Sequence, residues 1–350
     1  MSLTTSLTLS SDAWRLLRGV TCLYKPPGFS AGKLVNMLKH NLEQDLNRME
    51  RKVDRDERKL HLTGGSGGDI IPGSRDVGVA VGHGTNYSVH PLVLGPGYTT
   101  DDIRCMYVNK LSDNASGVLL VGVNESQRVT EGKALRNAKL LTTFHVRGEW
   151  GRATSTGWAT GKTRFCSTWR HLVGRPWLVD QCLSNIQASH QARAWTVANC
   201  ALDTQEAYEK ALEGPVKPDM LSETLVYGIK VKEWKLPNFM MEVQCVEGQD
   251  DMQKYLVKLV EEIGLKCKTV AHVTDIRCAA VGPFTSNESL LIKQISLQNV
   301  LNNISDNRKL WREANHGKRS ERGFRKKELE ESSNLKEDKN KNKFTQFLSD

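Results

Sequence analysis

The sequence reads as an α/β chain of short apolar strands and amphipathic helices. Three stretches carry that reading. Val118 to Val123 is apolar and rich in β-branched residues, with Gly122 inside it, the pattern of a buried strand. Leu34, Met37, Leu38, Leu42, Leu46 and Met49 recur at helical spacing on a charged background. Leu256 to Gly264, LVKLVEEIG, is a second amphipathic helix that ends on a glycine stop. With 350 residues and 39% hydrophobic side chains, the chain suffices for one large or two ordinary domains around a sizeable core.

The net charge is +9. From Asp306 to Asp350 there are 13 Lys/Arg and 9 Asp/Glu, so the tail supplies +4 and the rest of the chain +5. A positive excess spread in this way suits polyanions such as RNA, and equally an acidic membrane surface. The cysteines at 22, 105, 166, 182, 200, 245, 267 and 278 form no C-x-x-C arrangement, which argues against a zinc site or a disulfide framework. Free thiols in a reducing compartment are expected. No apolar run approaches ~20 residues, so no membrane-spanning helix is expected.

Residues 1–22 are rich in Ser, Thr and Leu, with Arg15, Arg18 and the lone acid Asp12. That composition fits a mitochondrial transit peptide and equally an ordinary N-terminal arm. Next comes LYKPPGFS, Leu23 to Ser30, where Pro26-Pro27-Gly28 imposes an extended segment and then a turn. Arg51 to Lys59 is almost wholly charged, and Gly64, Gly65, Gly67 and Gly68 read as a linker because no Lys-Ser/Thr follows them.

Tyr107 to Val123, YVNKLSDNASGVLLVGV, is the stretch that organises the chain. A polar loop feeds the buried strand, which is one way to present a reactive side chain from a rigid base. An ordinary turn before a core strand has the same composition. Val146 to Gly148 and MEVQC are further strands. Arg164 and Arg170, with Trp158, Trp169 and Trp177 nearby, mix cations with aromatics; this suits unpaired bases and phosphates, or else the tryptophans fill the core. After Ser305 the chain is charged and poor in apolar residues, as a disordered or partly helical tail would be.

Several motifs together resemble the TruB-type pseudouridine synthases. Lys25, Pro26, Gly28 and Ser30 match the family's first motif, and Leu111, Ala115, Ser116, Gly117, Val118 and Leu119 match its central motif. Tyr208, Ala211 and Gly214 follow its Y-x-x-A-x-x-G spacing, while Ala271-His272-Val273, Ile276-Arg277 and Val281 to Phe284 resemble its C-terminal motif. The resemblance covers about residues 13–304, with a poorly matching insertion at about 45–87, and so gives a domain at 23–305 and a tail at 306–350. It implies an α/β (α+β) pseudouridine synthase fold: a mixed, mostly antiparallel sheet with flanking helices and a central RNA-binding cleft. It implies no metal and no organic cofactor. RNA with an accessible uridine is the implied partner, with mitochondrial RNA-processing or ribosome-assembly proteins beside it and the mitochondrial matrix as the location.

The departures concern the chemistry. The family's nucleophilic aspartate falls on Ser112, with Asp113 one residue late, and the arginine that pairs with that aspartate falls on Val257. Its Lys-x-Tyr falls on Thr142 and Phe144, which keeps a stacking face for the base and loses the phenol. Ser155 follows Thr154 where an aspartate is usual. Lys25, Lys110 and Arg277 are the expected RNA contacts. Burial pushes a carboxylate towards neutrality and an adjacent arginine offsets this, so the loss of both partners is physically coherent, whereas the loss of one would strand the other. Asp113 acting as a substitute nucleophile requires a rearranged loop. The resemblance therefore leaves two functions, a uridine-isomerising enzyme and a non-catalytic RNA-binding or assembly factor on the same fold.

Overall fold

The apolar runs become strands of one sheet, and the amphipathic runs become helices that cover it. The computed structural model describes residues 9–50, 95, 97–124, 135, 138–212, 216, 224–246 and 251–314. In chain order these form α1 (Ser10–Leu16), β1 (Gly19–Lys25), α2 (Ala31–Arg48), β2 (Cys105–Tyr107), β3 (Ser116–Val123), β4 (Thr142–Trp150), β5 (Arg152–Thr154) and β6 (Thr163–Cys166). After these come α3 (Pro176–Val197), α4 (Gln205–Leu212), β7 (Leu225–Lys235), β8 (Asn238–Val246), α5 (Met252–Lys266), β9 (Ala271–Val281), β10 (Phe284–Thr285) and α6, residues 297–314.

The main sheet runs β1-β3-β9-β4-β8-β7, with β2 on β3 and β10 on β9. Only β3 and β9 pair in parallel among its described strands. This is the mixed, mostly antiparallel α+β arrangement that was expected. β5 and β6 form a separate two-stranded ribbon.

β3 is buried at every position, as its unbroken apolar run requires. At Gly117, φ is +114° and a side chain would run into the carbonyl of Cys278, so only glycine lets β3 approach β9 there. β4 alternates: Thr142, Phe144, Val146 and Trp150 face the core, while His145, Arg147 and Glu149 face the other way. On α2 the buried stripe is Leu34, Val35, Leu38, Leu42 and Leu46, and Met37 falls outside it. Gly264 does not stop α5, which continues to Lys266. A Cβ at Gly264 would stand 2.8 Å from the Ala271 nitrogen, so this glycine lets the helix lie close on β9.

Two expected boundaries move. The fold begins before residue 23: Ala13 and Leu17 are fully buried, and Gly19 already belongs to β1. Cleavage after residue 22 would take α1 and four residues of β1 out of the fold. At the other end residues 306–314 continue α6, and Asn307 is buried and donates to the Val20 carbonyl at 3.0 Å. Residues 1–8, Arg51 to Lys59, the glycine run, the rest of the insertion to 87, Gly214 and the tail from 315 lie outside the described residues.

Candidate functional site

The loop between β2 and β3 carries the family-like motif, and three side chains hold its backbone. Asn109 extends the β2–β3 ladder: its amide donates to the Val118 carbonyl at 3.0 Å and its oxygen accepts from Leu120 N–H at 2.8 Å. Lys25 enters from β1. Its ammonium donates to the carbonyls of Ala115 at 2.6 Å, Asp113 at 2.9 Å and Pro26 at 3.3 Å. Gly28 N–H also donates to the Asp113 carbonyl, at 2.8 Å. From α5, Gln253 accepts from Ser112 N–H at 3.3 Å and donates to the Lys110 carbonyl at 3.1 Å.

These contacts correct one expectation. Lys25 is fully buried and spends its three protons on carbonyls, so it supports the loop and cannot meet an RNA phosphate. Burial moves its pKa from the ordinary 10.5 down to about 8, against a smaller upward pull from Asp113.

Ser112 is half-buried, and its hydroxyl oxygen is buried without a hydrogen-bond partner. Asp113, the next residue, is exposed. Among the described residues no ion pair joins Asp113 to a guanidinium. Val257 lies one helical turn after Gln253, on the same face of α5, and is 7% exposed. Its Cγ1 occupies the space where a Cβ on Gly157 would sit, and Gly157 has φ of +71°. The turn between β5 and β6 therefore closes over Val257. Thr154 stabilises that turn by donating to the Trp158 carbonyl at 2.9 Å, while Ser155 is exposed. The loop thus meets α5 at Gln253, one turn before Val257, and both Ser112 and Val257 are neutral.

Other expected site residues divide between the two faces of the sheet. Phe144 belongs to the same core cluster as Val257 and is only 2% exposed, so a base could stack on it only if that face were uncovered. Arg277 is exposed on the opposite face of β9, beside His145 across β4, and 5.7 Å from the centroid of the Tyr24 ring. Burial leads in lowering the His145 pKa; Glu242 pulls it back up, and the positive charges of Arg277, Lys232 and Arg147 lower it further. Phe144 and Arg277 therefore cannot line one pocket. Lys110 is exposed at the loop while its carbonyl is held by Gln253.

Gln253 is the residue that sequence reasoning missed. Its signal was a polar side chain on the apolar stripe of α5, in line with Val257 and Val260, where an amide stays buried only if something satisfies it.

Residues 104–250 match the family model described as TruB family pseudouridylate synthase (N terminal domain). A Homo sapiens protein named Pseudouridylate synthase TRUB2, mitochondrial, is 32% identical over 284 residues, 81% of this chain and 82% of that one. The Xenopus tropicalis protein of the same name is 30% identical over 287 residues, 82% of this chain and 84% of that one. A crystal structure of the archaeal box H/ACA sRNP Nop10-Cbf5 complex aligns with a TM-score of 0.37 at 15% identity, over 81% of this chain and 54% of that chain.

Proposed function

This chain belongs to the TruB family of pseudouridylate synthases, and from that premise we propose that it is an RNA-binding member that does not isomerise uridine. One observation carries the reading. The hydroxyl of Ser112, which the motif resemblance sets at the family's nucleophile, is buried and unpaired, and Val257, set by the same resemblance at its arginine, is buried. Isomerisation needs a carboxylate kept ionised in a dry pocket, and an opposed cation is what keeps it ionised. Two neutral groups avoid burying a charge and leave no ionised carboxylate there to attack the sugar or the base.

The ligand is structured RNA with an accessible uridine: a mitochondrial tRNA, rRNA or mRNA. The word "mitochondrial" in the names of the animal relatives supports that location, and the matrix is the compartment we propose within it. Mitochondrial RNA-processing or ribosome-assembly proteins are the matching protein partners. A second reading keeps catalysis and gives the carboxylate role to Asp113. It is favoured by the exposure of Asp113 on the same loop, close enough to Lys25 to raise its pKa.

The test is purified protein with RNA carrying tritium at uridine C5, because rejoining the base through that carbon expels its hydrogen. RNA binding with no tritium release is the expected result. Release that Asp113→Ala abolishes would overturn the non-catalytic reading in favour of the second.

A further inference from the structure

We infer that the β5–β6 ribbon and the chain running from it into α3 form a docking surface for single-stranded RNA next to the loop site. This deepens the RNA-binding reading above and rests on it. From Gly151 to Trp177 there are five Lys/Arg and no Asp or Glu, whereas 40 acids in 350 residues would put about three in a stretch of that length.

The fold then sorts the aromatics of this stretch. Trp158 and Trp169 are partly buried and pack against the core, and Trp169 lies 2.7 Å from where a Cβ on Gly151 would stand. Phe165 and Trp177 point out, at 69% and 58% exposure. β6 is exposed at all four positions, so Arg164 lies beside Phe165 on an open strand. Arg170 and Arg175 are exposed between Phe165 and Trp177, and no ion pair engages Arg164, Arg170 or Arg175 among the described residues. Guanidinium groups outside any ion pair, in the same stretch of chain as two open ring faces, match an unpaired strand, whose bases can stack where duplex bases cannot.

The surface is also held in place. His171 is hydrogen-bonded through Nε2 to the Cys267 carbonyl at 2.8 Å, and Leu172 is fully buried. The β5–β6 turn seats Gly157 on Val257 and exchanges backbone hydrogen bonds with Val273, both at 2.8 Å. The ribbon therefore begins at the rim of the loop site, and RNA lying along it would extend from the bound uridine.

The full chain is titrated with a fluorescent, unstructured 20-nucleotide RNA, a duplex of equal length, and vesicles of phosphatidylcholine with anionic phosphatidylglycerol. Phe165→Ala and Trp177→Ala should each weaken single-strand binding by roughly five- to a hundred-fold, and the duplex far less. Phe165→Leu, which keeps apolar bulk without a ring, should behave as Phe165→Ala does. Arg164→Ala combined with Arg175→Ala should reduce the salt dependence of single-strand binding by about 1.4 in slope. Wild-type binding that all of these variants retain would overturn this surface and leave the RNA-binding reading standing. A wild-type chain that binds neither of these RNAs, or only vesicles, would also overturn this surface, while binding of the tritium-labelled structured RNA decides the RNA-binding reading separately.

Discussion

Gln253 holds Ser112 by its backbone N–H at 3.3 Å and leaves the Ser112 hydroxyl buried without a partner. Ser112 is thus fixed by a side chain 141 positions away, while its own polar group does nothing structural. That division allows the position to be changed without dismantling the loop.

Placing opposite charges at Ser112 and Val257 tests the proposed geometry independently of any activity. Ser112→Asp alone places a carboxylate where the hydroxyl is already buried, and should destabilise by about 3–5 kcal/mol or neutralise by protonation. Val257→Arg alone must push the Gly157 turn aside and should also destabilise. If the two positions oppose one another, the double variant should be more stable than the sum of the singles by more than about 1 kcal/mol in urea titrations. Strict additivity would show that they do not meet.

The clamp itself can be removed. Gln253→Leu keeps the bulk on α5 but strands Ser112 N–H and the Lys110 carbonyl. A loss of about 1–3 kcal/mol is expected, with faster hydrogen exchange at Ser112. Unchanged exchange at that amide would mean that the loop is held elsewhere.

Lys25 gives the chain a pH signature. Its folded pKa of about 8 lies below its ordinary 10.5, so between those values the unfolded chain binds more protons, and folding gains stability as pH rises. Below 8 the lysine is charged in both states and the burial penalty is complete; above 10.5 it is neutral in both and the penalty is gone. The gap corresponds to on the order of 3 kcal/mol. Wild type should therefore gain on Lys25→Met between pH 8 and 10.5 in denaturant titrations, and a pH-independent difference would contradict the burial of a charged amine.

The C-terminal helix should prove part of the domain. The Asn303 oxygen accepts from Thr21 Oγ1 at 2.9 Å and Cys22 N–H at 2.8 Å, while its amide donates to the Glu288 carbonyl at 2.7 Å. Asn303→Ala should cost about 2–4 kcal/mol through the groups left unpaired on β1. Ending the chain at residue 305 should lower the melting temperature too, since it removes the buried Asn307. A truncated chain that melts with wild type would return the domain boundary to residue 305.

Local order carried much of the fold. The β3 run, the α2 and α5 stripes and the spacing of the loop motif were legible because strand and helix periods are written in neighbouring residues. The proposal that Ser112 and Val257 stand at the family's two ionic positions rests on the same kind of local order, a register along the chain. Which charges and rings are available to a ligand was not. Lys25 and Arg277 look alike in sequence, yet one is sealed and the other open; so it is with Trp169 and Trp177.

The sequence by itself determined the family and the order of elements, and it set neutral side chains, Ser112 and Val257, at the two positions where the resemblance implies ions. Only the tertiary structure decided that Lys25 is a buried brace, that Phe144 is packed away and that Gln253 clamps the loop. The reason is distance along the chain: burial and hydrogen-bond satisfaction are set by partners such as Lys25 with Asp113, 88 residues apart, and Gln253 with Lys110, 143 apart. No local pattern records such pairs, because they come into being only when the sheet closes.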